Sequence, residues 1–200
     1  MNQSDIDIWE TCLDNEYQAY LDSNNGKGVF SIEGDEGAEA VGKLLSTHYY
    51  HNGIVLDVGC GMLPKPSYMK NGVYFIGIDP FEGYTKRDFL FVQGVGEHLP
   101  FPKNMFDAVL FNSSLDHVID REQCLWEAYR VLKPEGNLIV LYCDRKDGHY
   151  LHPYNNLHPW PVYEKYLRDT CKDVGFWLGE EGKEDLIVGT EKIFMGMKIC

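Results

Sequence analysis

Ile6, Trp9, Leu13, Tyr17, Tyr20 and Leu21 recur at spacings of three and four, which predicts an amphipathic helix over 6–21. A second stretch, 35–50, sets Ala38, Val41, Leu44, Leu45 and His48 along one side and predicts another helix. Then the period changes. Ile54-Val55-Leu56 is a short unbroken apolar run, read as a buried strand, and Asp57-Val58-Gly59-Cys60-Gly61 is the turn leaving it. Val73 to Ile78 is a second run ending in Asp79, 22 residues after Asp57. Strands over 89–92, 107–111 and 137–143 follow, with helices over 120–132 and 162–174 between and after them; Pro134 and Gly136 close the first of these helices.

The glycine turn carries the first chemical signal. Glycines at alternate positions give the backbone unusual angles and let a ligand approach without a Cβ in the way. In a doubly wound sheet, an acid at the tip of the second strand is placed to bond a ribose hydroxyl. Strand, glycine turn and Asp79 together point to a nucleoside-bearing cofactor. Gly59-Cys60-Gly61-Met62-Leu63-Pro64 lacks the third glycine of a dinucleotide fingerprint, which lowers a nicotinamide reading. Pro64 and Pro66 prevent a helix from starting directly after Gly61, so a short displaced helix is expected around 67–70. Nine residues separate Asp79 from Phe89, too few for a full crossover helix with its loops, and a turn or two is expected instead. Phe81, in that connection, either stacks on a base or fills space beneath it.

The motifs extend in order. Val55-Leu56-Asp57-Val58-Gly59-Cys60-Gly61, Ile76-Gly77-Ile78-Asp79, Gly94-Val95-Gly96-Glu97-His98-Leu99-Pro100-Phe101 with Phe106-Asp107-Ala108-Val109, and Ala128 to Leu138 lie in sequence over residues 54–141. This series resembles class I S-adenosylmethionine-dependent methyltransferases, of the type 11-like group. The resemblance implies an α/β, Rossmann-like three-layer sandwich with a mostly parallel seven-stranded sheet. The stretches 176–178 and 191–199 resemble the family's last two strands, which pair antiparallel. It implies S-adenosylmethionine as cofactor, with Asp57, Gly59, Cys60 and Gly61 at its methionine moiety and Asp79 on the ribose. Val95, Gly96 and Glu97 would border the adenine, and Asn112 would lie near the methionine or methyl. Family members commonly carry an acid and alanine where this chain has Val95-Gly96; Glu97 either substitutes for that acid or caps the segment that follows.

For catalysis, His117 and His152 are the candidate bases, because imidazole titrates near neutral pH. His117 also reads as a structural residue opening the next helix. His152 belongs to the stretch 148–161, which holds three histidines, three aromatics and three prolines in 14 residues. Its position after the fifth strand suits an acceptor-binding wall. His149, His152 and His158 carry no Asp, Glu or Cys ligand in the same stretch, and no metal is assigned. The helix over 6–21 reads as a packing helix or as a lid over the cofactor cleft.

Composition narrows the partners. The chain has 200 residues, 44% hydrophobic and 24% charged, as one ordinary globular domain would. It divides into an N-terminal helical cap (1–50), a cofactor core (51–145) and an acceptor loop with a C-terminal hairpin (146–200). Net charge −13 disfavours nucleic acid and anionic membranes as partners and favours a small-molecule acceptor. The six cysteines form no Cys-x-x-Cys pair, and no signal peptide or membrane span is read, so a cytoplasmic location is expected. A homodimer or a partner protein is compatible with all of this. Two other readings stand: a degenerate member of the fold acting as a binding or partner protein, and, ranked below it, a nicotinamide-dependent oxidoreductase.

Overall fold

A strand that is apolar on both faces belongs in the middle of a sheet. The computed structural model describes residues 3–24, 36–49, 53–63, 66–70, 72–83, 86–143, 158–179, 186–188 and 191–199, without the side chains of 23–24 and 186–188. In it, β1 (Ile54–Val58) has a parallel neighbour on each side, β2 (Tyr74–Asp79) and β4 (Phe106–Asn112). β3 (Leu90–Gln93) continues the sheet beyond β2, and β5 (Leu132–Tyr142) continues it beyond β4, both parallel. Beyond β5 comes β8 (Glu191–Lys198), antiparallel, and then β6 (Phe176–Trp177), antiparallel to β8. The path β3-β2-β1-β4-β5-β8-β6 gives the expected seven strands. An unexpected short strand, β7 (Leu186–Val188), lies off that path and pairs with β8 as a hairpin arm. Strand order reverses between β1 and β4, which opens a crevice at their carboxyl ends.

Side-chain alternation along the strands feeds two cores. Val55, Leu110 and Ile139 pack with Ala38, Val41 and Leu45 of α2 (Glu36–Tyr49). Leu56, Val109 and Phe111 face the other way, onto Leu125 and Ala128 of α3 (Arg121–Val131) and Leu167 and Cys171 of α4 (Glu164–Val174). α1 (Gln3–Asn24) contributes to neither core and lies over the crevice instead.

Three local expectations are corrected. Pro134 and Gly136 do not sit in a turn after the helix, because β5 begins at Leu132, directly after α3. Leu132 pairs with Phe106, the register shifts, and pairing resumes at Asn137↔Ala108, with Glu135 at φ +64° in between. Asp107 fixes that irregular edge: its carboxylate accepts the Lys133 ammonium at 2.8 Å and the Ile54 amide at 2.9 Å. The helix expected at 67–70 is a single turn, closed by the Met69 amide donating to the Pro66 carbonyl at 3.0 Å. The β2–β3 connection has no helix among its described residues, and Arg87 holds it. Its guanidinium donates to the carbonyls of Glu82, of Phe81 at 3.0 Å and of Gly61 at 2.8 Å, and lies 3.6 Å over the Phe91 ring.

Candidate functional site

The glycine turn forms a floor that no larger residue would permit. The Gly59 and Cys60 amides both point at the Ile78 carbonyl, at 2.8 and 3.3 Å, bending the chain across the end of β2. Gly59 sits at φ +78°, and a Cβ there would lie 2.4 Å from the Ser114 Cβ. Gly61 sits at φ +68°, and a Cβ there would meet the Tyr20 hydroxyl at 2.3 Å. Asp79 organises the turn from the next strand: its Oδ2 accepts the Gly61 amide at 2.8 Å and its Oδ1 the Phe81 amide at 2.9 Å. Gly96 is pinned in the same way, since a Cβ would lie 2.9 Å from both the Cys124 sulfur and Val58.

Above this floor is a cavity of about 750 Å³, a size suited to a cofactor with a small partner. It is lined by Gly59, Cys60, Gly61 and Asp79, by Val95, Gly96 and Glu97, and by Asn112. The predicted cofactor residues other than Asp57 therefore converge on one space. Asp57 is fully buried and does not line the cavity; its Oδ2 accepts the Tyr68 hydroxyl at 2.8 Å, and Tyr68 does line it. The Asp57 Oδ1 and the Asn112 Oδ1 are buried without a hydrogen-bond partner among the described residues. Burial pushes the Asp57 carboxyl up to about 7, against the pull of the Tyr68 hydrogen bond. Burial likewise raises Asp79 to about 6, with the Phe81 and Gly61 amides working the other way. Asp79 borders the cavity, where a cationic or hydroxyl-bearing ligand would favour its charged form.

Glu97 has a structural job as well. Its Oε1 accepts the amides of Ile119 at 2.8 Å and Asp120 at 3.1 Å, just ahead of α3, and not amides of the segment that follows Glu97. Phe81 packs against the rings of Tyr17 and Tyr20, at 5.8 and 6.4 Å between centroids, and borders the cavity. Trp9, Leu13, Glu16 and Tyr20 of α1 form the roof, so the helix lies over the cleft as the lid reading has it.

His117 also lines the cavity, and a carboxylate stands close to each of its ring nitrogens. Nδ1 is 2.6 Å from Glu16 Oε1, and Nε2 is 3.5 Å from Asp116 Oδ1. Burial favours the neutral ring, yet Asp116, Cys12 and Glu16 outweigh it and hold His117 well above the usual imidazole range. In this state it carries its proton. His152 and His149 lie outside the described residues. His158 is described, and its Nδ1 lies 2.8 Å from Asp116 Oδ2, with its ring edge-on to His117 at 4.6 Å between centroids. The Trp160 amide donates to the Asp116 carbonyl at 3.2 Å, which docks the His158 segment on the loop after β4. Glu16, Tyr68, Arg87, Asp116 and His158 all act through contacts between residues far apart in the chain, and no spacing in the sequence announces them.

The family model for a methyltransferase domain matches residues 56–140. That span runs from within β1 to near the end of β5. The matched stretch, a little under half of the chain, is of the methyltransferase-domain type. In fold, the chain is similar over 96% of its length to a possible histamine N-methyltransferase from Thermotoga maritima, at 23% identity and TM-score 0.68, covering 99% of that chain. It is similar over 92% of its length to the 1,6-didemethyltoxoflavin-N1-methyltransferase of Burkholderia thailandensis, solved with its substrate and S-adenosylhomocysteine, at 16% identity and TM-score 0.68, covering 87% of that chain. A ubiquinone/menaquinone biosynthesis C-methyltransferase of Haemophilus ducreyi is 49% identical over 51 residues, 26% of this chain and 20% of that protein. The chain thus matches about a fifth of the length of such curated relatives. No helix among the described residues is long and apolar enough to cross a membrane.

Proposed function

We propose that this chain binds S-adenosylmethionine in the cavity between the glycine turn, Asp79 and α1, and transfers its methyl group to a small-molecule acceptor. The observation that carries the reading is the pair Gly59 and Gly61, a backbone cradle that a Cβ would fill, tied by hydrogen bonds to a buried acid at the tip of β2. Asp79 would hold the ribose hydroxyls, and Val95, Gly96 and Glu97 the adenine edge. The turn and Asn112, with its unpartnered Oδ1, would take the methionine end. Asp57 would act through Tyr68, whose hydroxyl it holds at the cavity wall. The cofactor supplies an electrophilic methyl on a positive sulfur, so the protein mainly has to align nucleophile, methyl and leaving group.

Residues 1–50 serve as the cap, 51–145 as the cofactor core and 146–200 as the acceptor side in this reading. His117 becomes a proton acceptor once it has given up one proton, and movement of Glu16 away from it would favour that loss. The acidic chain favours a small acceptor over nucleic acid, and small molecules are the named substrates of two similar structures. Calorimetry tests the reading directly: S-adenosylmethionine and S-adenosylhomocysteine are titrated into the protein, with NAD as control. Micromolar binding of the first two, lost in Asp79→Ala, is the expected result. Absence of binding at millimolar ligand would sink it in favour of a degenerate partner protein.

A further inference from the structure

Five side chains with metal-binding chemistry meet at one end of the cavity. Cys12 and Glu16, four residues apart, share one face of α1; Asp116 and His117 leave β4; His158 precedes α4. The ligand atoms of Asp116, His117 and His158 all lie within 4.8 Å of one another, as do those of Cys12, Glu16 and His117. A tetrahedral ion with bonds of about 2.0–2.3 Å holds its ligand atoms about 3.3–3.8 Å apart. The group is gathered to nearly that spacing. Among the described residues, no lysine or arginine pairs with Asp116 or Glu16, whose ion pairs are with the two histidine rings.

The two rings are oriented differently, and the difference selects the ligands. Glu16 Oε1 stands 2.6 Å from Nδ1 of His117, and Nε2 lies on the Asp116 side of the ring. A carboxylate on one imidazole nitrogen is the usual device for orienting the other toward a metal. Asp116 spreads its two oxygens, Oδ1 toward His117 and Oδ2 toward His158 Nδ1, so the carboxylate lies beside both rings. We propose that Asp116, His117 Nε2 and His158 Nδ1 form a binding site for one divalent transition-metal ion, with Glu16 as the positioning residue of His117. Two imidazoles and one carboxylate are a ligand set suited to zinc, iron(II) or cobalt(II), and leave positions open. All three ligands border the cavity, so an open position faces whatever binds there.

The test needs no cofactor, so its failure is separate from failure of the methyl-transfer reading. Metal-stripped protein is titrated with zinc by calorimetry, desalted, and its metal content measured; cobalt(II) is then bound and its visible spectrum recorded. One zinc per chain is expected, with affinity reduced at least tenfold in His158→Ala and Asp116→Asn. Glu16→Gln should weaken binding by about tenfold to a hundredfold while leaving one ion per chain, the signature of a positioning residue. Circular dichroism and thermal melting establish that each variant is folded, and His158→Gln replaces His158→Ala if the latter is not. Folded wild-type protein that retains no zinc overturns the site. So does zinc binding that is unchanged in both His158 and Asp116 variants, since the ion would then sit elsewhere.

Discussion

Gly59 and Asp57 show how narrowly single residues are constrained around the turn. Gly59→Ala would impose a left-handed backbone on a side chain and drive its methyl into Ser114. The two effects together should cost about 2–4 kcal/mol, read from urea unfolding. Asp57 makes the opposite kind of prediction. Its folded carboxyl titrates near 7, above the ordinary aspartate value of 3.8, so the folded chain keeps a proton that the unfolded chain gives up. Stability of the ligand-free protein should therefore fall as pH rises from about 4 to about 7 and then level off. Asp79 adds a slope of the same sign, ending near pH 6. Asp57→Asn should remove much of the slope and stabilise the ligand-free protein at pH 8, measured as unfolding free energies at pH 5 and pH 8. The same change should weaken S-adenosylhomocysteine binding if Asp57 and Tyr68 work as a pair. The sequence pointed to these positions because glycine spacing and an acid at a strand tip are local signals. It was silent on Tyr68, whose link to Asp57 crosses 11 residues and depends on how two prolines redirect the chain.

At the scale of elements, the β2–β3 connection is the departure with most consequence. A helix here would satisfy its own backbone; without one, the Arg87 side chain takes over. It binds three carbonyls, including that of Gly61 in the turn, so the connection and the cofactor floor are held by one side chain. Arg87→Ala should destabilise the protein by about 2–4 kcal/mol, since each charged hydrogen bond contributes about 1.5–3 kcal/mol and water replaces some of them. Arg87→Lys should recover only part, because an ammonium cannot reach three divergent carbonyls in a plane. Shortness of the connection was legible from the residue count, but the remedy was not. Element boundaries were read well where the period was strong, as in α2 and α4. The start of β5 was missed because proline and glycine normally signal a turn, and only pairing of Leu132 with Phe106 overrides that signal.

For the whole molecule, strand order decides what depends on what. The seven-stranded path was legible because apolar runs and helical periods alternate, and because the motif series resembled a family with that path. β7 was not, since three residues carry too little pattern to separate a strand from a loop. Phe194 of β8 is fully buried at the junction between β5 and the α4 side of the core. Phe194→Ala should cost about 3–5 kcal/mol in chemical unfolding, as for other large aromatic deletions from a core. An equal truncation at exposed Trp177 should cost far less.

The insertion of β8 between β5 and β6 also sets an order of events during synthesis. β5 is complete by residue 142, but the strand that covers its open edge ends at residue 198. While a ribosome makes the intervening residues, β5 offers unpaired amides and carbonyls along a strongly apolar strand. Such an edge is a template for association with another chain. Nascent chains stalled in this interval should therefore be the form that chaperones hold most avidly. Codon changes that slow translation between residues 143 and 190 should lower soluble yield without altering the finished protein.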